Sequence, residues 1–187
     1  MLCALDETIS AAKPIDWIRV GASCQHLNSD SRIEKAKRGS TVKCVEQFVE
    51  HVSSWPGVSV HPHQFGGREF KLGNAEIGHV HCGGIIDIPF PRTIRDALLE
   101  EQLAEEHYWV PNSGWTTFCM RSDFDLEHAL WLMGLSYLRY QLRTAPNASG
   151  TLQSETEQLL LSPRFISLLS LFVRKSEHKP AVHSVSA

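Results

Sequence analysis

Two runs of alternating residues around Gly73-Asn74 constrain the fold more than any other feature of the chain. The run Glu69-Phe70-Lys71-Leu72 precedes this dipeptide, and the run 75–81 follows it. A period of two is typical of a strand with one buried face, and Gly-Asn between two such runs favours a tight turn. We therefore predict an antiparallel β-hairpin.

The second strand of this hairpin carries two histidines that should share one face. Because the rise along a strand is about 3.3 Å per residue, the side chains of His79 and His81 start roughly 6.6 Å apart on the same side. The glycines at 78, 83 and 84 leave room for a ligand or another backbone. The pair is a candidate site, although a histidine on a half-buried strand is often a satisfied structural residue.

Helical periodicity flanks the strands. From Thr41 to Pro56-Gly57, apolar residues recur every three or four positions, which predicts a helix with one buried face. Pro91 suits the first turn of a second helix, and Ser122 or Asp123 can cap a long third helix.

Further strands are predicted at 58–61 and 85–88. The aromatic runs 108–110 and 115–120, separated by a Pro-Asn-Ser-Gly turn, predict a second hairpin. This order of elements predicts an α+β fold, an antiparallel sheet with helices packed on one face.

The chain divides into four parts by composition and periodicity. We predict a peripheral N-terminal arm at 1–39, an α+β domain at 40–143, a C-terminal helical extension at 144–175 and a disordered tail at 176–187. An apolar cluster at 168–173 is expected to dock on the core. A chain of 187 residues suffices for one good core.

Charge and cysteine content narrow the classes of function. With 18 basic and 21 acidic residues, the net charge of −3 gives no electrostatic argument for nucleic acid as a partner. Five widely spaced cysteines without a CxxC pair are typical of reduced thiols, and no apolar run is long enough to span a membrane. We therefore expect a cytoplasmic protein without nucleic acid as a partner; the oligomeric state is left open.

The order and spacing of several motifs resemble one protein family. The motifs are Arg68-Glu69-Phe70, Leu72-Gly73, Glu76-Ile77-Gly78-His79-Val80-His81, Asp87-Ile88-Pro89-Phe90, His107, Val110-Pro111-Asn112-Ser113-Gly114-Trp115 and Leu135-Ser136-Tyr137. Over roughly residues 41–140 the chain resembles the luciferase-domain family. Most members are uncharacterised bacterial and fungal proteins, and the luciferase of bioluminescent mushrooms is among them.

The resemblance implies a reaction class. The bioluminescent members oxidise a hydroxylated pyrone, 3-hydroxyhispidin, with molecular oxygen and without metal or flavin. The chain is accordingly expected to be an O2-dependent, cofactor-free oxygenase acting on a small aromatic or enolic metabolite, with the natural substrate unknown.

Such a reaction needs a base, groups that hold the resulting anion, and a stacking wall, for which Trp109 and Trp115 are the candidates. We predict that the catalytic residues are His79, His81, Asp87 and His107, with an imidazole as base and Asp87 or Glu76 orienting it. The predicted substrate-binding residues are Arg68, Glu76, Ser113 and Trp115.

Two other classes of function stay open at this point. His79, His81, His107 and Asp87 are plausible ligands for zinc or iron, and His61-Pro62-His63 is another His-x-His pair. The spacing matches no established ligand motif, so a metal is possible but not favoured. The third class is a non-catalytic module that binds a small molecule or a protein.

Overall fold

Six antiparallel strands form one sheet in the computed structural model, which describes residues 31–177. The strands, in chain order, are β1 (Val58–Pro62), β2 (Arg68–Leu72), β3 (Ala75–Val80), β4 (Ile85–Pro89), β5 (Glu105–Glu106) and β6 (Trp115–Cys119). Their order across the sheet is β1-β2-β3-β4-β6-β5. Strands β2 and β3 form the predicted hairpin, with Leu72 opposite Ala75 and the turn at Gly73-Asn74.

Five helices accompany the sheet in the described part of the chain. They are α1 (Ser31–Ser53), α2 (Arg92–Glu100), α3 (Asp123–Gln141), α4 (Ala148–Gln158) and α5 (Pro163–Glu177). Ser122 precedes α3 in a capping box with Asp125, as its position predicted. Helix α1 begins at Ser31, well before Thr41, and therefore includes part of the predicted N-terminal arm.

Helices α1 and α3 pack against the sheet and create the main core. Phe70, Val80, Ile86 and Ile88 from the strands are buried with Phe48 of α1 and a set of α3 residues. The predicted α+β class, an antiparallel sheet with helices, is confirmed.

The second predicted hairpin is wrong in one strand. The partner of β6 is the short strand Glu105–Glu106, with Glu105 opposite Thr117, while residues 108–110 lie in the following loop. The backbone N–H groups of Trp109 and Val110 donate to the His107 ring instead of to a neighbouring strand. The side chains of Tyr108 and Trp109 are 82% and 80% exposed, so no burial stabilises a strand here.

The C-terminal extension docks on the domain. Helix α5 begins at Pro163 and buries Phe165, Leu169 and Phe172. The apolar cluster at 168–173 therefore contributes to the core, as predicted. Most of the predicted arm and nearly all of the predicted tail lie outside the described residues.

The structure bears on the predicted state of the cysteines and on membrane-spanning segments. Cys119 is disulfide-bonded, so the prediction of reduced thiols is wrong at this position. Within residues 31–177, no helix has the length and apolar character that crossing a membrane requires.

Candidate functional site

A row of polar residues crosses the face of the sheet that faces away from the core. The strand register pairs Glu69 with His79, His79 with Asp87, and Asp87 with Thr117. Directly opposite residues of antiparallel strands project from the same face. Their sequence neighbours Val80, Ile86 and Phe118 are buried in the core, so alternation places the row on the other face.

A β-bulge adds Glu76 to this row. The register shifts between Phe70 and Lys71, so that Phe70 lies opposite Gly78 while Lys71 lies opposite Glu76. The extra residue, Ile77, is fully buried in the core, and Glu76 and His79 come to share a face although they are three positions apart. Glu76 Oε1 consequently lies 2.6 Å from His79 Nδ1.

Asp87 lies at the centre of a cluster of polar side chains, formed with Glu76, His79, His81, His107 and Thr117. Its Oδ2 lies 3.2 Å from His81 Nε2 and 3.4 Å from His79 Nε2, and its Oδ1 accepts a hydrogen bond of 2.5 Å from the Thr117 hydroxyl. His107 Nε2 approaches Oδ1 from a third direction at 3.7 Å. Three of the four predicted catalytic residues are thus arranged around the fourth.

These contacts shift the pKa values of His79 and Asp87. Burial lowers the pKa of His79, but the hydrogen bonds to Asp87 and Glu76 outweigh burial and raise the pKa to about 9. Burial raises the pKa of Asp87, and the hydrogen bonds from His79 and Thr117 more than reverse this effect, so the pKa is lowered overall. At neutral pH the pair is therefore an imidazolium beside a carboxylate.

His107 links the cluster to the exposed loop 107–114. Its Nδ1 accepts the Trp109 backbone N–H at 3.1 Å, so the neutral ring carries its proton on Nε2, the nitrogen that faces Asp87. The Trp115 ring covers the side of the cluster, with its centroid 5.4 Å from that of His79 and 6.1 Å from that of His107. Trp115 thus occupies the position expected of a stacking wall.

Two predicted substrate-binding residues lie apart from these contacts. Arg68 is paired with the core residue Val80 in the register, and its guanidinium donates to the carbonyls of Gly66 and Gly67. Ser113 accepts the backbone N–H of Trp115 at 3.1 Å, which makes it part of the loop's own structure. The structure brings neither side chain to Asp87.

His63 belongs to the cluster although the sequence did not place it there. A 3₁₀ turn at Gln64–Gly66, closed by the bond from the His63 N–H to the Gly67 carbonyl, returns the chain from β1 to β2. The His63 ring stacks on that of His79 with centroids 3.9 Å apart and lies 5.5 Å from that of His81. Burial and the charge of His79 lower the pKa of His63.

Thr117 is the other residue that sequence reasoning missed. In the sequence it is only one residue of an aromatic, β-prone run, and the register that places it opposite Asp87 depends on the pairing of β4 with β6. The position of His63 depends in the same way on tertiary structure, because no repeating sequence pattern predicts the turn that follows it. The only sequence signal for His63 was its position in the His61-Pro62-His63 pair.

Most of the strands that carry this cluster lie in a segment that matches a known protein family. Residues 74–136 match the family model described as the Luciferase domain. The match confirms the predicted resemblance. No curated protein and no solved structure matches the chain.

The Luciferase domain match covers about a third of the chain and most of the cluster. It begins in the turn before β3 and ends within α3, and it includes Glu76, His79, His81, Asp87, His107, Trp115 and Thr117. His63 lies outside the matched segment.

Proposed function

We propose that the cluster around Asp87 binds a small aromatic or enolic metabolite as its anion and promotes the reaction of that anion with molecular oxygen. The observation that carries the proposal is the convergence of His79, His81 and His107 on one buried carboxylate beside Trp115. The Luciferase domain match supports the same reaction class by resemblance.

His81 is the group best placed to accept a proton from the substrate. Its side chain is 25% exposed, whereas that of His79 is 9% exposed. Asp87 orients His81 through Nε2, and no described residue hydrogen-bonds to the other ring nitrogen, Nδ1. That nitrogen can face a substrate hydroxyl, as general-base catalysis requires.

The other residues hold the anion that proton transfer creates. The positive charge of the His79 ring stabilises the anion at the edge of the cluster, and Trp115 offers an aromatic face for a planar ring. The electron-rich anion then reacts with O2 as co-substrate. We propose that this step uses neither flavin nor metal.

Oxygen consumption tests the proposal directly. Protein treated with a chelator, and shown by elemental analysis to contain no metal, is mixed with hydroxypyrones and phenols while dissolved oxygen is recorded. We expect oxygen uptake with at least one hydroxypyrone or phenol and a loss of roughly 100-fold or more in His81→Gln, since a general base contributes about 10²–10⁴-fold.

The matched control is His61→Gln. His61 lies on β1 in the same row, opposite Glu69, but its Nε2 pairs with Ser59 at 3.0 Å, away from Asp87. Its oxygen uptake should equal that of wild type. A compound that raises the melting temperature without any oxygen uptake would overturn the proposal and identify a binding module instead.

A further inference from the structure

We infer that His63, His79 and His81 form a binding site for one divalent transition-metal ion such as Zn2+. The inference goes beyond the proposed function and does not depend on it. His63 lies outside the segment that matches the Luciferase domain, so family membership does not carry the inference.

The geometry of the three rings is the first observation. Each residue offers one ring nitrogen, and these three nitrogens all lie within 4.8 Å of one another. Metal–nitrogen bonds of about 2.0–2.1 Å in a tetrahedral site place ligand nitrogens roughly 3.4 Å apart. Small side-chain rotations would therefore bring the three rings to the separation that a metal ion requires.

The surrounding carboxylates are the second observation. Glu76 Oε1 lies 2.6 Å from His79 Nδ1, the relation in which a carboxylate orients a metal-bound histidine through its other nitrogen. Asp87 Oδ2 lies 3.2–3.4 Å from Nε2 of both His79 and His81, which is close to the spacing of neighbouring ligands in such a site. Both carboxylates add negative charge that favours a cation.

The ligand type selects the class of ion. Three imidazoles suit zinc, copper, iron or nickel, whereas Mg2+ and Ca2+ prefer oxygen ligands. A bound ion on His81 Nε2 would leave the proton of the neutral ring on Nδ1, the nitrogen that the proposed oxygen reaction uses as its base. The two states therefore exclude each other, and Zn2+ is expected to inhibit that reaction.

Zn2+ binding to the full-length, metal-free protein tests the inference without any substrate. We expect calorimetric titration to give one Zn2+ per chain and Mg2+ to show no binding at the same concentrations. Co2+ should give the visible absorption bands of a low-symmetry nitrogen-ligated site. Because neither readout uses activity, failure here and failure of the oxygen reaction can be told apart.

Three variants separate this site from adventitious binding. Glu76→Gln should weaken Zn2+ binding by roughly 10–100-fold, the usual effect of losing the partner of a metal-bound histidine. His63→Ala, which removes a ligand, should weaken it more. The matched control His61→Ala, from the same His-x-His pair, should bind as wild type does, since His61 is not one of the three ligands.

The outcome for His63 decides the inference. Unchanged Zn2+ affinity in His63→Ala, equal losses in the two histidine variants, or no binding by wild type would overturn it. The circular dichroism spectrum and melting temperature of each metal-free variant establish that the protein is folded. If His63→Ala does not fold, His63→Gln is measured in its place.

Discussion

At the scale of single residues, Asp87 shows how burial and function are joined in this molecule. The residue is only 5% exposed, and a carboxylate removed from water is costly unless it is paired. The Thr117 hydroxyl and the ring nitrogens of His79, His81 and His107 surround it. The same contacts that make the buried charge tolerable therefore position the imidazoles.

His128 provides a prediction about stability at the same scale. It lies buried on α3 with Nε2 donating to the Leu103 carbonyl at 2.6 Å, away from the candidate site. Burial lowers its pKa, and the hydrogen bond to the Leu103 carbonyl and the charge of Asp125 compensate only in part. At His128 the folded protein therefore binds fewer protons than the unfolded chain as the pH falls below the ordinary value of 6.5.

The contribution of His128 to the free energy of unfolding should consequently decrease as the pH falls through this range, so the stability of wild type relative to His128→Gln should be lower at the lower pH. Urea unfolding of both proteins at pH 7.5 and pH 5.5 gives the difference between the two slopes. This difference removes the contribution of the other histidines. Equal pH dependence in the two proteins would contradict the assignment.

The sequence predicted single residues of the site well where simple alternation holds. His79, His81 and Asp87 lie together because ordinary strand geometry puts them there. Glu76 required the bulge at Ile77, which breaks alternation, and its predicted role as a partner of histidine came from chemistry alone. Arg68 was assigned to the anion because of its charge, but the register turns it toward the other face.

At the scale of elements, local sequence signals predicted a helix or strand correctly where they were strong. Gly73-Asn74 between two alternating runs fixed one hairpin, and Ser122 marked the start of α3. The strand at 105–106 has two exposed glutamates and carries no such signal, so β-prone aromatic residues nearby were predicted in its place. Only pairing with β6, a long-range interaction, defines this strand.

Two glycines in tight turns allow a matched test of the sheet connections. Gly84 has φ of +80°, and an added Cβ would lie 2.3 Å from the carbonyl oxygen of Met120. The backbone of Gly84 also bonds to His81 and Met120, which joins the start of β4 to the end of β6. Gly73 has φ of +62° and no atom within 4 Å of the corresponding position.

Both alanine variants carry the cost of a left-handed conformation, about 1–2 kcal/mol. Gly84→Ala should lose roughly 1–3 kcal/mol more than Gly73→Ala, because a backbone carbonyl must also move. Chemical unfolding of the two variants beside wild type measures the difference. Equal losses would mean that the Gly84 connection can relax without cost.

At the scale of the whole molecule, one face of the sheet forms the core and the other carries the candidate site. Helices α1 and α3 bury one face and supply the main core. The row of polar residues that forms the site lies on the other face. The position of the site therefore follows from where the helices pack. The sequence predicted this layering, since helical segments flank the strands, but could not predict which turn brings His63 to the cluster.

We expect the C-terminal helix α5 to unfold in the same cooperative unit as the main core. Phe165 on α5 is 1% exposed, and its ring lies edge-on to Trp131 of α3 with centroids 5.5 Å apart. Leu171 on the same helix is 44% exposed. Phe165→Ala should therefore lower the free energy of unfolding by about 3–5 kcal/mol, while Leu171→Ala should change it by about 0.5 kcal/mol or less.

Thermal unfolding followed by circular dichroism and by tryptophan fluorescence distinguishes a docked helix from a separate unit. If α5 belongs to the main core, both signals shift together in Phe165→Ala and the transition stays single. Truncating Phe165 would otherwise produce an early transition in circular dichroism alone and leave the main one in place. That result would contradict the packing of α5 against α3, because Trp131 reports on this contact directly.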